Sequence, residues 1–246
     1  MCGRYTLTSQ DGIVEDLDAA LAPGVTASEW WKPRFNVAPT QPAPVVVLDE
    51  HGKRVVEMMR WGLVPHWATR PSEPGKRPPL MINARTDSLD KPVFRSSMTR
   101  GRRCLVVADG FFEWRRDRKP PIPYYFRPVP RRLVCFAGIW TRARKNPTAK
   151  VDDGERIISF AMITGAANPL VDPTHDRMPV VLAPSVYAAW LDPSLDAEGA
   201  RALLDVPPVD DWRADEVSTQ VNKADIDEPT NIVPVHHDAP AQRELF

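Results

Sequence analysis

Cysteine is scarce in this sequence of 246 residues, and the three cysteines, Cys2, Cys104 and Cys135, form no Cys-x-x-Cys pair. An odd and scattered set predicts neither a disulfide framework nor a cysteine-rich zinc site. The five histidines show no metal-like spacing with acids or cysteines, so we predict no metal site and no cofactor. Cys104 and Cys135 lie within apolar runs and are interpreted as buried strand residues.

Long apolar runs are also missing. No stretch of about eighteen apolar residues occurs, which argues against a transmembrane helix. The N-terminus lacks the basic segment followed by an apolar one that marks a signal peptide. We therefore expect a cytoplasmic protein with no membrane partner.

Net charge is absent as well, because 32 Lys and Arg balance 32 Asp and Glu. The basic residues are nevertheless concentrated: within residues 100–145, thirteen Lys or Arg stand against three acids, which gives that segment +10 and the remainder −10. Such asymmetry can give one face a field that attracts polyanions. Solvated strand ends and loops are the competing explanation on charge alone.

Glycine is sparse and proline abundant, with 12 against 27, and the prolines are spread along the whole chain. This distribution predicts many short elements joined by rigid loops. Short runs rich in β-branched residues have the length and composition of buried strands. We predict strands within residues 44–48, 55–59, 104–108, 133–140, 157–164 and 178–182.

Helical patterns are fewer, with candidates at 11–21, 185–191 and 197–204. Strands that dominate over a few peripheral helices predict an α+β fold. The composition of 70–80 and 146–155 is typical of loops, and that of 238–246 of a frayed tail. Because no repeat or linker divides the sequence, we predict one domain over residues 1–246.

Cys2 follows a methionine, and methionine before a small residue is normally removed, so we expect the mature chain to start with a free cysteine. Its α-amine titrates near ~7.7–8.0 and its thiol near ~8.5, so both nucleophiles are available near neutral pH. The amine can form a Schiff base with an aldehyde, after which the thiol closes a thiazolidine ring. The same residue could instead attack an amide, or be an ordinary residue at a frayed terminus.

Two further residues have the character of proton carriers. Glu113 follows a glycine turn and is flanked by aromatic residues, which would desolvate its carboxyl group and raise its pKa. His175 lies close to Arg177, whose charge favours the neutral imidazole. An exposed turn glutamate and a solvated histidine are the alternatives.

Polar and aromatic residues also occur together at predicted strand ends. Asn83 and Arg85 are two apart and would point to the same side of a strand, where an amide and a guanidinium suit phosphate contacts. Tryptophan and proline accompany arginine in 34–40 and 60–67. Rigid aromatic surfaces beside arginine suit single-stranded nucleic acid, although tryptophans at strand ends also cap hydrophobic cores.

Together these segments resemble the SRAP family, named after an SOS-response-associated peptidase. The matching motifs occur in the family's order and extend from Cys2 to at least Asn222. They lie at residues 1–5, 34–39, 60–65, 82–85, 103–105, 108–114, 136–140 and 175–179. Small departures occur at Val107, Phe112 and the pair Asp87-Ser88, where many members have Pro, Tyr and Glu-Thr.

The resemblance implies an α+β domain with a β-barrel-like core of mixed and antiparallel strands, peripheral helices and a basic DNA-binding cleft. It implies a sensor of abasic sites in single-stranded DNA and at junctions with duplex. Such a sensor traps the lesion as a thiazolidine DNA–protein crosslink and shields it during replication and the SOS response. We accordingly expect a monomer that joins the nucleoid during DNA damage, with replication-fork proteins as further partners.

The resemblance also implies roles for individual residues. Cys2 is the nucleophile, Glu113 moves protons around the amine and the Schiff base, His175 assists opening of the sugar ring, and Asn83 orients Cys2. Phosphate contacts are implied for Arg4, Arg85 and Arg177. Contacts that line the cleft and stack on bases are implied for Asn36, Trp61 and Trp67.

Two other functions remain open on the sequence. A cysteine peptidase could use Cys2 as nucleophile with Glu113 and His175, and a limited autocatalytic version could expose Cys2 itself. A plain single-stranded DNA binder would treat intact and abasic strands alike and would not need Cys2.

Overall fold

The computed structural model describes residues 2–9, 12–25, 32–65, 80–117, 119–144, 156–204 and 211–235. Its strands are β1 (Arg4–Leu7), β2 (Ala20–Leu21), β3 (Arg34–Val37), β4 (Pro42–Leu48), β5 (Arg54–Trp61), β6 (Asn83–Arg85), β7 (Arg103–Ala108), β8 (Gly110–Arg115), β9 (Ile122–Pro128), β10 (Val134–Arg144), β11 (Arg156–Ala166), β12 (Arg177–Pro179), β13 (Val181–Leu182) and β14 (Trp212–Glu216). Its α-helices are α1 (Ile13–Asp16), α2 (Pro92–Thr99), α3 (Tyr187–Leu191) and α4 (Ala197–Ala202).

Five strands close into a barrel. The ladder runs β11–β10–β7–β4–β5 through antiparallel pairs, and β5 returns to β11 through a parallel pairing of Arg60 with Ser159 and Trp61 with Phe160. Closure removes the unpaired strand edges that an open sheet exposes. Short strands extend the barrel, since β6 and β12 flank the end of β11, β13 pairs with β10, and β2 pairs with β5.

A second sheet packs against the barrel in the order β14–β9–β8–β1–β3. Alternate residues of each barrel strand belong to two hydrophobic clusters, as the period of two in a strand requires. On β7, Cys104 and Val106 pack in the cluster that holds Phe111 and Phe126 of the second sheet. Leu105 and Val107 pack in the cluster that contains residues of helices α2 and α3.

The fold class predicted from the sequence is confirmed, because a mixed barrel is surrounded by further strands and a few short helices. Each predicted strand has a counterpart, with 178–182 divided into β12 and β13 by Val180. The composition does not predict β1, β3, β8, β9 and β14, or helix α2. Those strands carry charged, aromatic or proline residues that conceal the apolar pattern.

The helix predicted over 11–21 is wrong in length. Helix α1 is only four residues long, and Asp18 adopts a positive φ of 47° that ends the helical path. Ala20 and Leu21 then pair with Val55 and Val56 as strand β2. The predictions for 146–155 and 238–246, and nearly all of the loop at 70–80, lie outside the described residues. Among those described, no helix is long and apolar enough to cross a membrane.

Candidate active site

The N-terminal end of β1 lies beside the middle of β8. Arg4 pairs with Phe112 and Tyr5 with Phe111 in an antiparallel ladder, so the register carries Cys2 toward Glu113. Both residues are buried, with exposed fractions of 0% and 1%. The pairing therefore brings the predicted nucleophile and the predicted acid into one buried neighbourhood.

A polar corner between β7 and β8 fixes this register. The carboxylate of Asp109, which is 2% exposed, accepts hydrogen bonds from the Thr6 hydroxyl and from both the backbone N–H and the hydroxyl of Thr8. A side chain at Gly110 would place its Cβ 2.5 Å from the Tyr125 ring. The Asp109 carboxylate thus ties β1 to the start of β8, and Gly110 leaves room for the Tyr125 ring.

The Cys2 thiol is a neutral nucleophile in this environment. It donates a hydrogen bond to the Arg4 carbonyl oxygen at 3.3 Å. Burial raises the pKa of the thiol well above its ordinary value, and the nearby Glu113 carboxylate raises it further. The thiol therefore keeps its proton at neutral pH, and a base must remove that proton when the sulfur forms a bond.

Glu113 has the properties of a group that exchanges protons near neutral pH. Burial raises the pKa of its carboxyl group, while the charge of Arg116 acts in the opposite direction. Both neighbours along β8 are aromatic, and Phe112 is fully buried. The desolvation expected from the aromatic surroundings is present in the structure.

Asn83 connects strand β6 to the N-terminus. Its side-chain N–H donates to the Cys2 carbonyl oxygen at 2.7 Å. Its Oδ1 atom is buried and has no hydrogen-bond partner among the described residues. Because a buried acceptor without a partner is costly, Oδ1 is available to a group that enters the site.

His175 precedes β12 at the rim of the same region. Burial lowers the pKa of the imidazole, and the charges of Arg116 and Arg177 add to this effect while Asp176 opposes it. Nδ1 accepts the Arg177 backbone N–H at 3.1 Å. Nδ1 also lies 2.9 Å from the Asp176 carboxylate, but that carboxylate is 81% exposed and the backbone donor requires Nδ1 to be unprotonated. We therefore assign the neutral tautomer with its proton on Nε2.

Arg85 and Arg177 converge on one carboxylate from opposite sides of β11. Their guanidinium groups lie 2.6 and 3.0 Å from Oδ2 of Asp87. Hydrogen bonds from Arg85, Ser88 and Arg177 lower the pKa of Asp87 to about 2. Two guanidinium groups that already hold an anionic oxygen form a surface suited to phosphate.

Three of the predicted DNA contacts have other roles in the structure. Trp61 is 0% exposed, donates its indole N–H to the Ile82 carbonyl oxygen and stands edge-on to Tyr5, so the prediction that it stacks on bases is wrong. Asn36 is also 0% exposed and does not line a cleft. Its amide group instead donates to main-chain carbonyls of residues 221–226. Both were misassigned because arginine and proline surround them in the sequence.

Arg4 is likewise bound to protein acceptors. Its guanidinium donates to Asn36 Oδ1 at 2.9 Å and to the carbonyls of Val221 and Asn222 at 2.5 and 3.1 Å. These bonds anchor β1 rather than leave the whole guanidinium group to a phosphate. Trp67, the remaining predicted contact, lies outside the described residues.

Sequence reasoning missed two residues next to Glu113. Trp114 is half-buried and donates its indole N–H to Asn222 Oδ1 at 2.6 Å. Arg116 is exposed and lies close enough to influence the pKa of both Glu113 and His175. The available signal was position along the chain, because burial ends at Glu113: Trp114 is half-buried at the end of β8 and Arg116 follows the strand.

The basic excess of residues 100–145 is divided among several locations. Arg103 is buried and donates to main-chain carbonyls. Arg127 and Arg132 form ion pairs with aspartates of the 211–216 region. These three arginines are therefore bound to other protein groups, whereas Arg116 lies close to Glu113 and His175. Among the described residues, no group of three or more His, Cys, Asp or Glu is arranged to hold a metal ion.

Comparisons with known proteins agree with the motifs. The family model described as SOS response associated peptidase (SRAP) matches residues 1–224. The abasic site processing protein YoqW of Bacillus subtilis (strain 168) is 35% identical over 228 residues, which cover 90% of this chain and 94% of that protein. The abasic site processing protein HMCES of Xenopus tropicalis is 30% identical over 227 residues, which cover 80% of this chain and 64% of that protein.

Solved structures show the same fold. A protein from Bacteroides thetaiotaomicron superposes with a TM-score of 0.80 at 24% identity, over 96% of this chain and all of that one. A protein from Bordetella bronchiseptica superposes with a TM-score of 0.71 at 25% identity, over 88% of this chain and 100% of that one.

Proposed function

The chain belongs to the SRAP family, and from this premise we propose that it senses abasic sites in single-stranded DNA and traps them through Cys2. Relatives from bacteria and vertebrates carry the name abasic site processing protein. The observation that carries the proposal is the hydrogen bond from Asn83 to the Cys2 carbonyl. This bond ties the main chain of Cys2 near the buried carboxyl group of Glu113, which can exchange protons while the aminothiol reacts with an aldehyde.

The covalent step needs no oxidant or cofactor. Hydrolysis of the Met1–Cys2 peptide bond first frees the Cys2 α-amine. That amine adds to the C1′ aldehyde of the ring-opened abasic sugar, and loss of one water gives a Schiff base. The sulfur then adds to the imine carbon while the thiol proton reaches the nitrogen, which closes the thiazolidine ring.

Glu113 is positioned to relay the protons of these steps. Loss of water from the carbinolamine needs an acid, and a carboxyl group whose pKa is raised by burial retains a proton closer to neutral pH than an exposed one. The neutral thiol of Cys2 must then lose its proton, and the nearby carboxylate formed in the first step can accept it. One residue thus serves as acid and then as base.

His175 and the arginine pair would act on the DNA. The Nε2 proton assigned to His175 suits donation to the sugar ring oxygen during ring opening. Arg85 and Arg177 would exchange the Asp87 carboxylate for flanking phosphates. Trp114, half-exposed beside Glu113, takes the base-stacking role that the buried Trp61 cannot fill.

A cysteine peptidase with repeated turnover is the weaker alternative. Peptidase nucleophiles are activated as thiolates by a lowered pKa, whereas burial and Glu113 raise the pKa of Cys2. A single autocatalytic removal of Met1 remains part of the proposal. Attack of the Cys2 thiol on the Met1 carbonyl carbon would break the peptide bond, free the α-amine and form a thioester, which water hydrolyses to release methionine and restore the thiol.

The test is a denaturing gel of purified protein mixed with single-stranded DNA that carries one abasic site. We expect a heat-stable shifted band from the wild type and none from Cys2→Ala. The same protein with its α-amine acetylated should give no band. A full-rate band from the acetylated protein would overturn the Schiff-base route. No band from the wild type, together with equal affinity for intact and abasic strands in a native titration, would favour a plain binder.

A further inference from the structure

The C-terminal strap, residues 217–235, closes on itself at its two ends. Val217 forms an isolated bridge with Pro234, and the Val235 N–H donates to the Glu216 carbonyl at 2.8 Å. Between these ends the chain forms two 3₁₀ helices, Thr219–Asn222 and Pro229–Ile232. The family model ends at residue 224, so the strap begins inside that match and continues beyond it.

Two buried or half-buried groups hold the strap on strand β3. The Asn36 amide donates to the carbonyls of Val221, Lys223 and Ile226 at 3.2, 3.0 and 2.8 Å. The Asp227 carboxylate accepts the backbone N–H groups of Phe35 and Asn36. Because β3 is an edge strand of its sheet, Asp227 satisfies donors that no neighbouring strand pairs.

From this anchored position the strap reaches both sides of the catalytic pair. The carbonyls of Val221 and Asn222 accept from Arg4, two residues after Cys2. The Asn222 side chain accepts the indole N–H of Trp114 at 2.6 Å, one residue after Glu113. One short segment thus binds the neighbours of the nucleophile and of the acid.

We propose that Asn222 is a positioning residue, which fixes the Trp114 indole so that a base stacked on it presents the adjacent sugar to Cys2. This inference rests on the proposed function. Asn222 acts through Trp114 and does not itself contact the reacting atoms. The half-buried indole packs against a cluster that includes Phe112, whose ring centroid lies 6.5 Å away. The hydrogen bond adds a directional constraint on its orientation to this packing.

The substitution Asn222→Ala isolates this bond, because it removes Oδ1 and keeps the backbone carbonyl that Arg4 uses. We expect the single-turnover crosslinking rate at saturating DNA to fall about tenfold, since the best neutral hydrogen bonds contribute about 1.5 kcal/mol. Affinity should change less than threefold for DNA that carries a tetrahydrofuran analogue, which cannot open to an aldehyde. Asn222→Asp keeps an acceptor and should retain the rate within threefold, although its charge weakens DNA affinity.

The matched control is Thr230→Val, which breaks the strap's exposed bond between Gln220 and Thr230 away from Trp114. It should crosslink at the wild-type rate. In a Trp114→Phe background, which lacks the indole N–H, Asn222→Ala should cause no further loss.

The outcomes separate this inference from the proposed function. If the wild type forms no crosslink, the proposed function fails. If the wild type crosslinks but Asn222→Ala crosslinks as fast as Thr230→Val, Asn222 has no positioning role. If Asn222→Ala slows the Trp114→Phe protein as much as it slows the wild type, Asn222 does not act through Trp114.

Discussion

Asn83→Ala tests whether one hydrogen bond positions the nucleophile. The bond from Asn83 to the Cys2 carbonyl is 2.7 Å long and partly buried. A neutral hydrogen bond of this kind contributes about 0.5–1.5 kcal/mol net. Since about 1.4 kcal/mol corresponds to a factor of ten, the equilibrium ratio of molecules with Cys2 in place to molecules with Cys2 displaced should fall about 2-fold to 12-fold. The ladder of β6 uses only main-chain groups, so the protein should remain folded.

The assay is the single-turnover crosslinking rate at saturating abasic DNA, with affinity measured separately on the tetrahydrofuran analogue. We expect the rate to fall by up to the factor above while affinity changes less than twofold. Asn83→Asp should be slower still, because a carboxyl oxygen then faces the Cys2 carbonyl and adds charge near Glu113. Thr99→Val, which loses an exposed bond to the Arg95 carbonyl in helix α2, is the control.

A wild-type rate for Asn83→Ala would refute this reasoning. A loss that appears only in affinity would also refute it, because it would make Asn83 a DNA contact and not a positioning group for Cys2.

Three other predictions concern stability, pH and charge. Arg103→Met should lower the free energy of unfolding by about 3–5 kcal/mol, because it leaves the buried carbonyls that accept from Arg103 without a donor. Each kcal/mol lowers the Tm by about 2–4 °C, so a calorimetric Tm within 2 °C of the wild type would contradict this prediction. Burial raises the folded-state pKa of Glu113, so the folded chain keeps a proton that the unfolded chain releases at about pH 4.3. The free energy of unfolding should therefore decline as pH rises from that value through the folded-state pKa. Urea midpoints between pH 4 and 8 should show this decline flattened in Glu113→Gln, and parallel profiles would contradict it. Asp87→Asn should raise affinity for intact single-stranded DNA about threefold at low salt, because repulsion between a carboxylate and a bound phosphate about 6 Å away costs about 0.7 kcal/mol in water. Unchanged or weaker binding in a titration would show that Asp87 does not compete with phosphate.

Much of the barrel could be predicted from the sequence because its strands are buried on both faces. The apolar runs within β4, β5, β7 and β11 are short and contain many β-branched residues, which favours strands over helices. Strand β8 was not assigned from its composition, since Gly110, Glu113 and Arg115 interrupt its apolar pattern. The aspartate corner that sets its register joins residues about a hundred positions apart, which no local pattern reveals.

The candidate site was predictable to a different extent for each type of residue. The sequence proposes Cys2, Asn83, Glu113 and His175 because their chemistry is unusual for their positions and the SRAP motifs contain them. The structure brings Asn83 and Glu113 close to Cys2. The DNA contacts were harder to predict, because the exposure of a tryptophan or asparagine side chain decides whether it can contact a ligand. Trp61 faces the core, whereas Trp114 is half-buried. The hydrogen bond that holds the Trp114 indole joins it to Asn222, 108 positions away in the sequence, which no local pattern reveals.

Intact mass spectrometry of the crosslinked product tests the central claim most directly. The protein lacking Met1 is mixed with an abasic oligonucleotide and the adduct is weighed without a reducing agent. We predict a mass equal to the sum of protein and DNA less one water, with the attachment mapped to Cys2 by digestion. A stable adduct on any other residue, or no adduct from protein shown to start at Cys2, would contradict the account.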